Sequence, residues 1–280
     1  MGIKSSLLRW PVLGYVALAA LLFFGSAHAD QPTPAAAAPT AEKPTPPVSA
    51  TPAAPAASAQ PSPAAPPPRA LPPIPTGLGR ITGKVTVAGL APKLAGLPVA
   101  KDMKICGTSK VDEALEVGAG GGVKNALLWD PQGPPPAKGV KPRARVVLVA
   151  CQVVPHVSAT AVPGELVITN EDGLFHNVTA TGDLAFSYAM PIKGHTIPTK
   201  LKKPGVLKLE SKNHPWMKGY VHALPTTAFI VTEADGTYYL DLPPGTHTLQ
   251  LWHERLGERK DQVEVALGET TLHDLSLALR

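Results

Sequence analysis

Two histidines and a methionine carry the metal chemistry that this sequence offers. His176 stands in NEDGLFHNV (170–178), and His214 and Met217 stand three residues apart in ESKNHPWMKG (210–219). Two imidazoles and a thioether make a donor set that suits a soft metal ion. The sequence sets His214 and Met217 in a tight, proline-containing loop after one strand, and His176 at the end of another.

Positioning such a set falls to β-structure. Alternating or short apolar runs predict strands over 81–87 (ITGKVTV), 126–129, 145–149 (RVVLV), 165–169, 206–209, 219–224, 228–232, 237–242, 246–253, 262–265 and 271–277. Proline and glycine punctuate almost every gap, and no window of helical length keeps a 3.6-residue apolar face. The fold class is therefore all-β, built as sandwiches, with at most a short helical turn in a loop.

At the two metal loops the sequence resembles the cupredoxins, the blue copper proteins such as plastocyanin. The likeness covers about 119–223. It includes the His-Asn-Val context of His176, the segment VPHV (154–157), the turn PGE (163–165) into LVITN, and KPG (203–205) into VLKLE, in the order that family uses. The resemblance implies a Greek-key β-sandwich with His176, His214 and Met217 as copper ligands. It also exposes a departure, because the family's loop reads Cys-x-x-His-x-x-Met and Ser211 stands at the Cys position. A serine hydroxyl is hard and un-ionised at neutral pH, so it does not replace a thiolate. The resemblance thus implies a thiolate-free His-His-Met copper site, suited to copper handling more than to electron transfer. The alternative is a degenerate cupredoxin that serves as a metal-free binding or structural module.

The C-terminal stretch 224–280 carries a second likeness. Asp235-Gly236 between VTEA and TYYL reads as a two-residue hairpin, and LPPG (242–245) precedes the alternating THTLQLWHE. This order resembles the carboxypeptidase regulatory-like domain, a transthyretin-like sandwich of structural or adhesive role. An opening strand of the form G-x-I-x-G-x-V is common there, and 79–85 matches it from the far end of the folded part. Two arrangements remain open: 79–88 pairs with 225–280, leaving the segment 78–118 joined to the C-terminal sandwich, or two sandwiches follow one another.

Composition sets the outer limits. The chain has 280 residues, a formal charge of +5, 33 Pro, 25 Gly and 5% aromatic residues. So small a positive excess does not argue for nucleic acid. Residues 1–29 read as an export signal, with Lys4 and Arg9 before an apolar run and Ala27-His28-Ala29 as the cleavage site. The other reading is an uncleaved membrane anchor. Residues 30–77 are Pro, Ala, Ser and Thr, too poor in apolar side chains to offset the entropy of folding; they read as a tether reaching on the order of 140 Å if extended. A periplasmic, secreted or cell-surface location follows.

Cys106 and Cys151 in an exported chain predict a disulfide, which would stabilise the fold by about 4 kcal/mol on the chain-entropy model. His156 and His253 are expected to be structural, and His195, His222, His247 and His273 solvated or at edges. Trp216 is expected to cover the site or meet a partner. Lys202, Lys203, Lys208, Lys212 and Lys218 surround the loop and suggest an acidic protein or anionic surface as partner. No nucleophile elbow, paired-acid motif or phosphate loop is present, so no enzyme is expected.

Overall fold

The computed structural model describes residues 70–279. The expected signal at 1–29 and residues 30–69 of the expected tether lie outside the described residues. In chain order the elements are β1 (Gly79–Ala88), β2 (Leu97–Pro98), the helical turn α1 (Met103–Cys106), β3 (Ser109–Lys110), β4 (Leu127–Trp129), β5 (Arg143–Val149), β6 (Gln152–Val154), β7 (Val157–Ala161) and β8 (Gly164–Asn170). They continue through β9 (His176–Gly182), β10 (Phe186–Met190), β11 (Thr196–Leu201), β12 (Gly205–Ser211), β13 (Lys218–Leu224), β14 (Phe229–Val231) and β15 (Thr237–Leu242). The last are β16 (Gly245–His253), β17 (Gly257–Val265), β18 (Thr270–Leu272) and β19 (Leu275–Ala278).

Residues 143–224 form a cupredoxin-like β-sandwich. One sheet has the order β10-β9-β12-β13-β7 and the other β11-β8-β5-β6. The inward residues of each strand meet in one apolar core: Val146 and Leu148 from β5, Leu166 and Ile168 from β8, Val178 and Ala180 from β9, Leu207 and Leu209 from β12. Period-two alternation is the cause, since successive side chains on a strand point to opposite faces.

The second sandwich joins both ends of the folded chain. β1 pairs antiparallel with β15 and parallel with β18 and β19, so 79–88 does pair with the C-terminal stretch. The facing sheet has the order β14-β4-β16-β17, which brings β4 in from between β1 and the first sandwich. Close approach explains the glycines of GRITG: a Cβ on Gly79 would lie 2.0 Å from the Ala266 carbonyl oxygen, and one on Gly83 would lie 2.2 Å from that of His273. Arg80 is opposite Asp241 in the β1–β15 ladder and pairs with it through two hydrogen bonds of 2.6 and 2.8 Å.

The expected hairpin at Asp235-Gly236 does not form as such. The turn exists, with the Gly236 amide donating to the Glu233 carbonyl at 2.9 Å, but β14 pairs with β4 while β15 pairs with β1. The Asp-Gly turn therefore carries the chain from one sheet to the other. A turn sequence fixes the local reversal, whereas the sheet that each flanking strand joins depends on which apolar faces it must cover.

The two sandwiches meet on Leu127, Val157 and Leu224, flanked by Trp129, Tyr220 and Trp252. This contact overturns the expectation for His222, which is buried to 2% exposure. β13 has its own core on one face and the second sandwich on the other, so its residues 221–224 are all buried. His222 lies against Trp252, with ring centroids 4.4 Å apart, and its Nε2 has no hydrogen-bond partner. Burial pulls its pKa down to about 4. His247, also expected to be solvated, bonds the buried Asp130 at 2.8 Å.

Candidate metal centre

His176 opens β9 rather than ending a strand. His176, Val178 and Ala180 are the inward, buried residues of β9, and Asn177 and Thr179 alternate outward. The neighbouring β12 turns Leu207, Leu209 and Ser211 inward in the same way. The two strands run antiparallel with Ser211 opposite Val178, which sets Ser211 at the same end of the core as His176. From there the loop closes on itself: the Ser211 amide donates to the Met217 carbonyl at 3.3 Å, the Met217 amide donates to the His214 carbonyl at 2.9 Å, and the Lys212 amide donates to the Asn177 carbonyl at 3.0 Å. His176, His214 and Met217 are all exposed by 1% or less.

The structure brings the two predicted imidazoles together edge-on, with their planes inclined by 63°. His176 Nδ1 and His214 Nδ1 are 3.1 Å apart, and the ring centroids are 4.8 Å apart. The far nitrogen of each ring meets a carboxylate, His176 Nε2 with Asp172 Oδ2 at 3.0 Å and His214 Nε2 with Asp102 Oδ2 at 2.9 Å. Asp172 Oδ2 also accepts the Cys151 amide at 2.8 Å. Carboxylate acceptors assign the ring proton to each Nε2, which leaves both Nδ1 lone pairs aimed at one another. Two lone pairs at that distance need a positive charge between them, either a shared proton or a metal ion. Burial lowers the pKa of His176 despite the Asp172 hydrogen bond, which favours the neutral, ligating form of that ring.

The spacing fits a metal. Two metal–imidazole bonds of about 2.0–2.1 Å span 3.1 Å at an angle of about 100°. A carboxylate behind each imidazole is the outer-shell arrangement that fixes ring tautomer and orientation in metal sites. The Ser211 hydroxyl is buried there without a hydrogen-bond partner, so the pocket holds one more oxygen donor than the protein itself satisfies. Among the described residues no three His, Cys, Asp or Glu side chains converge as a ligand set; the predicted thioether Met217 is buried in the same core, and so is Met190, which lies opposite His176 in the β9–β10 ladder.

The surrounding residues cover the centre. Trp216 packs edge-on to His214 with centroids 5.3 Å apart, and its Nε1 donates to the Cys151 carbonyl at 3.2 Å. Cys151 is joined to Cys106 by the expected disulfide, with Cα atoms 5.2 Å apart. His156 has both nitrogens engaged elsewhere, Nδ1 with the Lys218 carbonyl at 3.1 Å and Nε2 with Glu254 at 2.7 Å. It is structural, and so is His253, whose Nδ1 accepts the Arg255 amide. Asp172 and Asp102 were missed by the sequence reading. Asp172 had a local signal, a carboxylate four residues before His176 in the same loop, while Asp102 lies 112 residues from His214 and had none.

No family model matches this chain, and no curated protein matches it. Among solved structures it is similar to a Cu-containing nitrite reductase (NirK) from Thermus scotoductus SA-01, at 23% identity over 32% of this chain with a TM-score of 0.28. The chain spans only 25% of that reductase. It is also similar to a purple cupredoxin from Nitrosopumilus maritimus, at 20% identity over 29% of this chain and 98% of that one, TM-score 0.26. A reduced mutant of amicyanin matches at 16% identity over 35% of this chain and 98% of that one, TM-score 0.27. At these TM-scores the likenesses add nothing to the strand order and loop positions, on which the cupredoxin-like fold of 143–224 rests.

Proposed function

We propose that this chain is an exported copper-binding protein whose site uses His176, His214 and Met217 without a thiolate, and that its role is copper handling rather than catalysis. The observation that carries this reading is the facing pair of Nδ1 atoms at 3.1 Å, each imidazole backed by a carboxylate. His176 and His214 would supply the two strong donors and Met217 a soft third one. A copper ion bound there would accept these donors as a Lewis acid and lack the short copper–sulfur bond that couples a blue site to its partner. Asp172 and Asp102 hold the rings in register, and the apolar core behind them excludes water.

Export rests on the sequence signal, and among the described residues no helix is long and apolar enough to cross a membrane. The lysines beside the loop would favour an acidic protein or an anionic surface as partner. Lys208 already pairs with Glu210 at 2.8 Å, so Lys202, Lys203, Lys212 and Lys218 are the better candidates.

The test is a copper titration of the full chain by calorimetry and electron paramagnetic resonance, beside a His176→Ala/His214→Ala variant. One equivalent bound by the native chain and lost in the variant supports the site. Binding that is absent or unchanged in the variant rejects it and leaves a metal-free sandwich module. A Ser211→Cys variant that gains an intense visible band with copper would place the ion beside position 211.

A further inference from the structure

The loop 97–110 reaches the centre from outside the sandwich that builds it. Its base is a two-residue ladder, Leu97 opposite Lys110 and Pro98 opposite Ser109, extended by the Val99 amide donating to the Thr108 carbonyl at 3.1 Å. At the tip, the Asp102 carbonyl accepts the Ile105 and Cys106 amides, both at 2.9 Å, which winds α1. Val99 and Cys106 are buried in the core of the cupredoxin-like sandwich, while Met103 and Ile105 face solvent. Asp102 bonds the outer nitrogen of His214, and that histidine is left 1% exposed.

Three further contacts hold this loop to the metal loops. The disulfide ties Cys106 to Cys151. The Cys151 amide donates to Asp172, the carboxylate behind His176, and the Cys151 carbonyl accepts from Trp216, which packs on His214. The turn that carries Cys151 has positive φ at both central residues, Ala150 at 49° and Cys151 at 55°. Residues with a Cβ rarely adopt this type I′ geometry without outside support. Asp102, His214, Trp216, Cys151 and Cys106 thus close a ring of contacts around the site.

We propose that 97–110 is a latched strap that shuts the His214 side of the centre, with Asp102 as the residue that seats it and the Cys106–Cys151 disulfide as its latch. Resting on the copper reading, this makes the centre one that retains its metal and exchanges it slowly, because neither a chelator nor a docking partner reaches His214 while the strap is seated. Cys106 and Cys151 are exposed by 1% or less, so thiols in solution do not reach the bond and the latch is permanent in the folded protein. Asp102 acts through His214 and is a positioning residue.

The experiment has a metal-free and a metal-loaded arm, both on the full chain. In the first, diethylpyrocarbonate modification of His214 is followed by mass spectrometry in the native chain and in Asp102→Ala, Asp102→Asn and Cys106→Ser/Cys151→Ser variants. Losing a hydrogen bond to a charged group is expected to raise the His214 rate at least tenfold in Asp102→Ala. A similar rise is expected in the cysteine variant, with near-native behaviour restored in Asp102→Asn, whose side-chain oxygen still accepts. In the second arm, copper transfer to excess EDTA is expected to speed up at least tenfold in the same two variants at unchanged stoichiometry. Asp102→Ala keeps the disulfide, so it reports on the strap even if the cysteine variant does not fold. Native-like His214 protection in Asp102→Ala overturns the strap. Deprotected His214 in chains that bind no copper supports the strap and rejects the copper reading separately.

Discussion

Replacing Ser211 by alanine is expected to stabilise the metal-free protein. Ser211 is 4% exposed, and its hydroxyl has no hydrogen-bond partner. A buried polar group left unpaired costs about 1–3 kcal/mol. Removing one oxygen leaves a cavity of only about 10–15 Å³, which at ~24 cal/mol per Å³ returns roughly 0.3 kcal/mol. The net gain is about 1–2 kcal/mol, or a rise in Tm of about 2–8 °C for a folded unit of this size. The assay is calorimetric melting of the EDTA-treated native and variant chains, repeated with excess copper. With copper the advantage should shrink or reverse, because the hydroxyl then faces a bound ion or the water on it and is no longer orphaned. A metal-free Ser211→Ala chain that melts below the native one would refute the assignment of an unsatisfied donor at this position. An identical shift with and without copper would remove Ser211 from the centre.

Other consequences can be measured independently. Burial holds His222 and His253 at pKa values of about 4, against 6.5 in the unfolded chain. Between those values the unfolded chain binds more protons, so stability falls as the pH drops from about 6.5 to 4, by about 3 kcal/mol for each histidine. Urea unfolding across that range should show the loss, and His222→Leu should flatten about half of it. Asp241→Ala leaves the Arg80 guanidinium, 2% exposed, without its carboxylate, and should cost about 3–5 kcal/mol by denaturant unfolding. Ala150→Gly relieves a Cβ held at φ 49° on the surface and should add about 1 kcal/mol in the same assay; no gain would mean that the disulfide turn is not strained.

The sequence by itself determined that the chain is built of strands and singled out the two histidines that the structure brings together. Period-two alternation in GVLKLES and HNVTATG turns Ser211 and His176 inward wherever those strands pair. Glycines at 79 and 83 and the short loop from 211 to 217 also carried local, readable constraints. The strands that went unpredicted include β7 and β9 as well as β10 and β11: β7 and β9 are built largely of Ser, Thr and Ala, and β10 and β11 alternate between half-buried and exposed residues over most of their length, so apolar periodicity was too weak to find them.

Only the tertiary structure decided what surrounds His176 and His214. Asp102 reaches His214 across 112 residues of chain, and Asp235-Gly236 turns the chain between two sheets instead of within one. His222 looks like an edge residue until the second sandwich packs on β13. The physical reason is common to all three. Strand formation and facing are set by neighbours one and two residues away, whereas a hydrogen bond between distant carboxylate and imidazole, or the burial of a strand's second face, depends on which surfaces dock after the strands have formed.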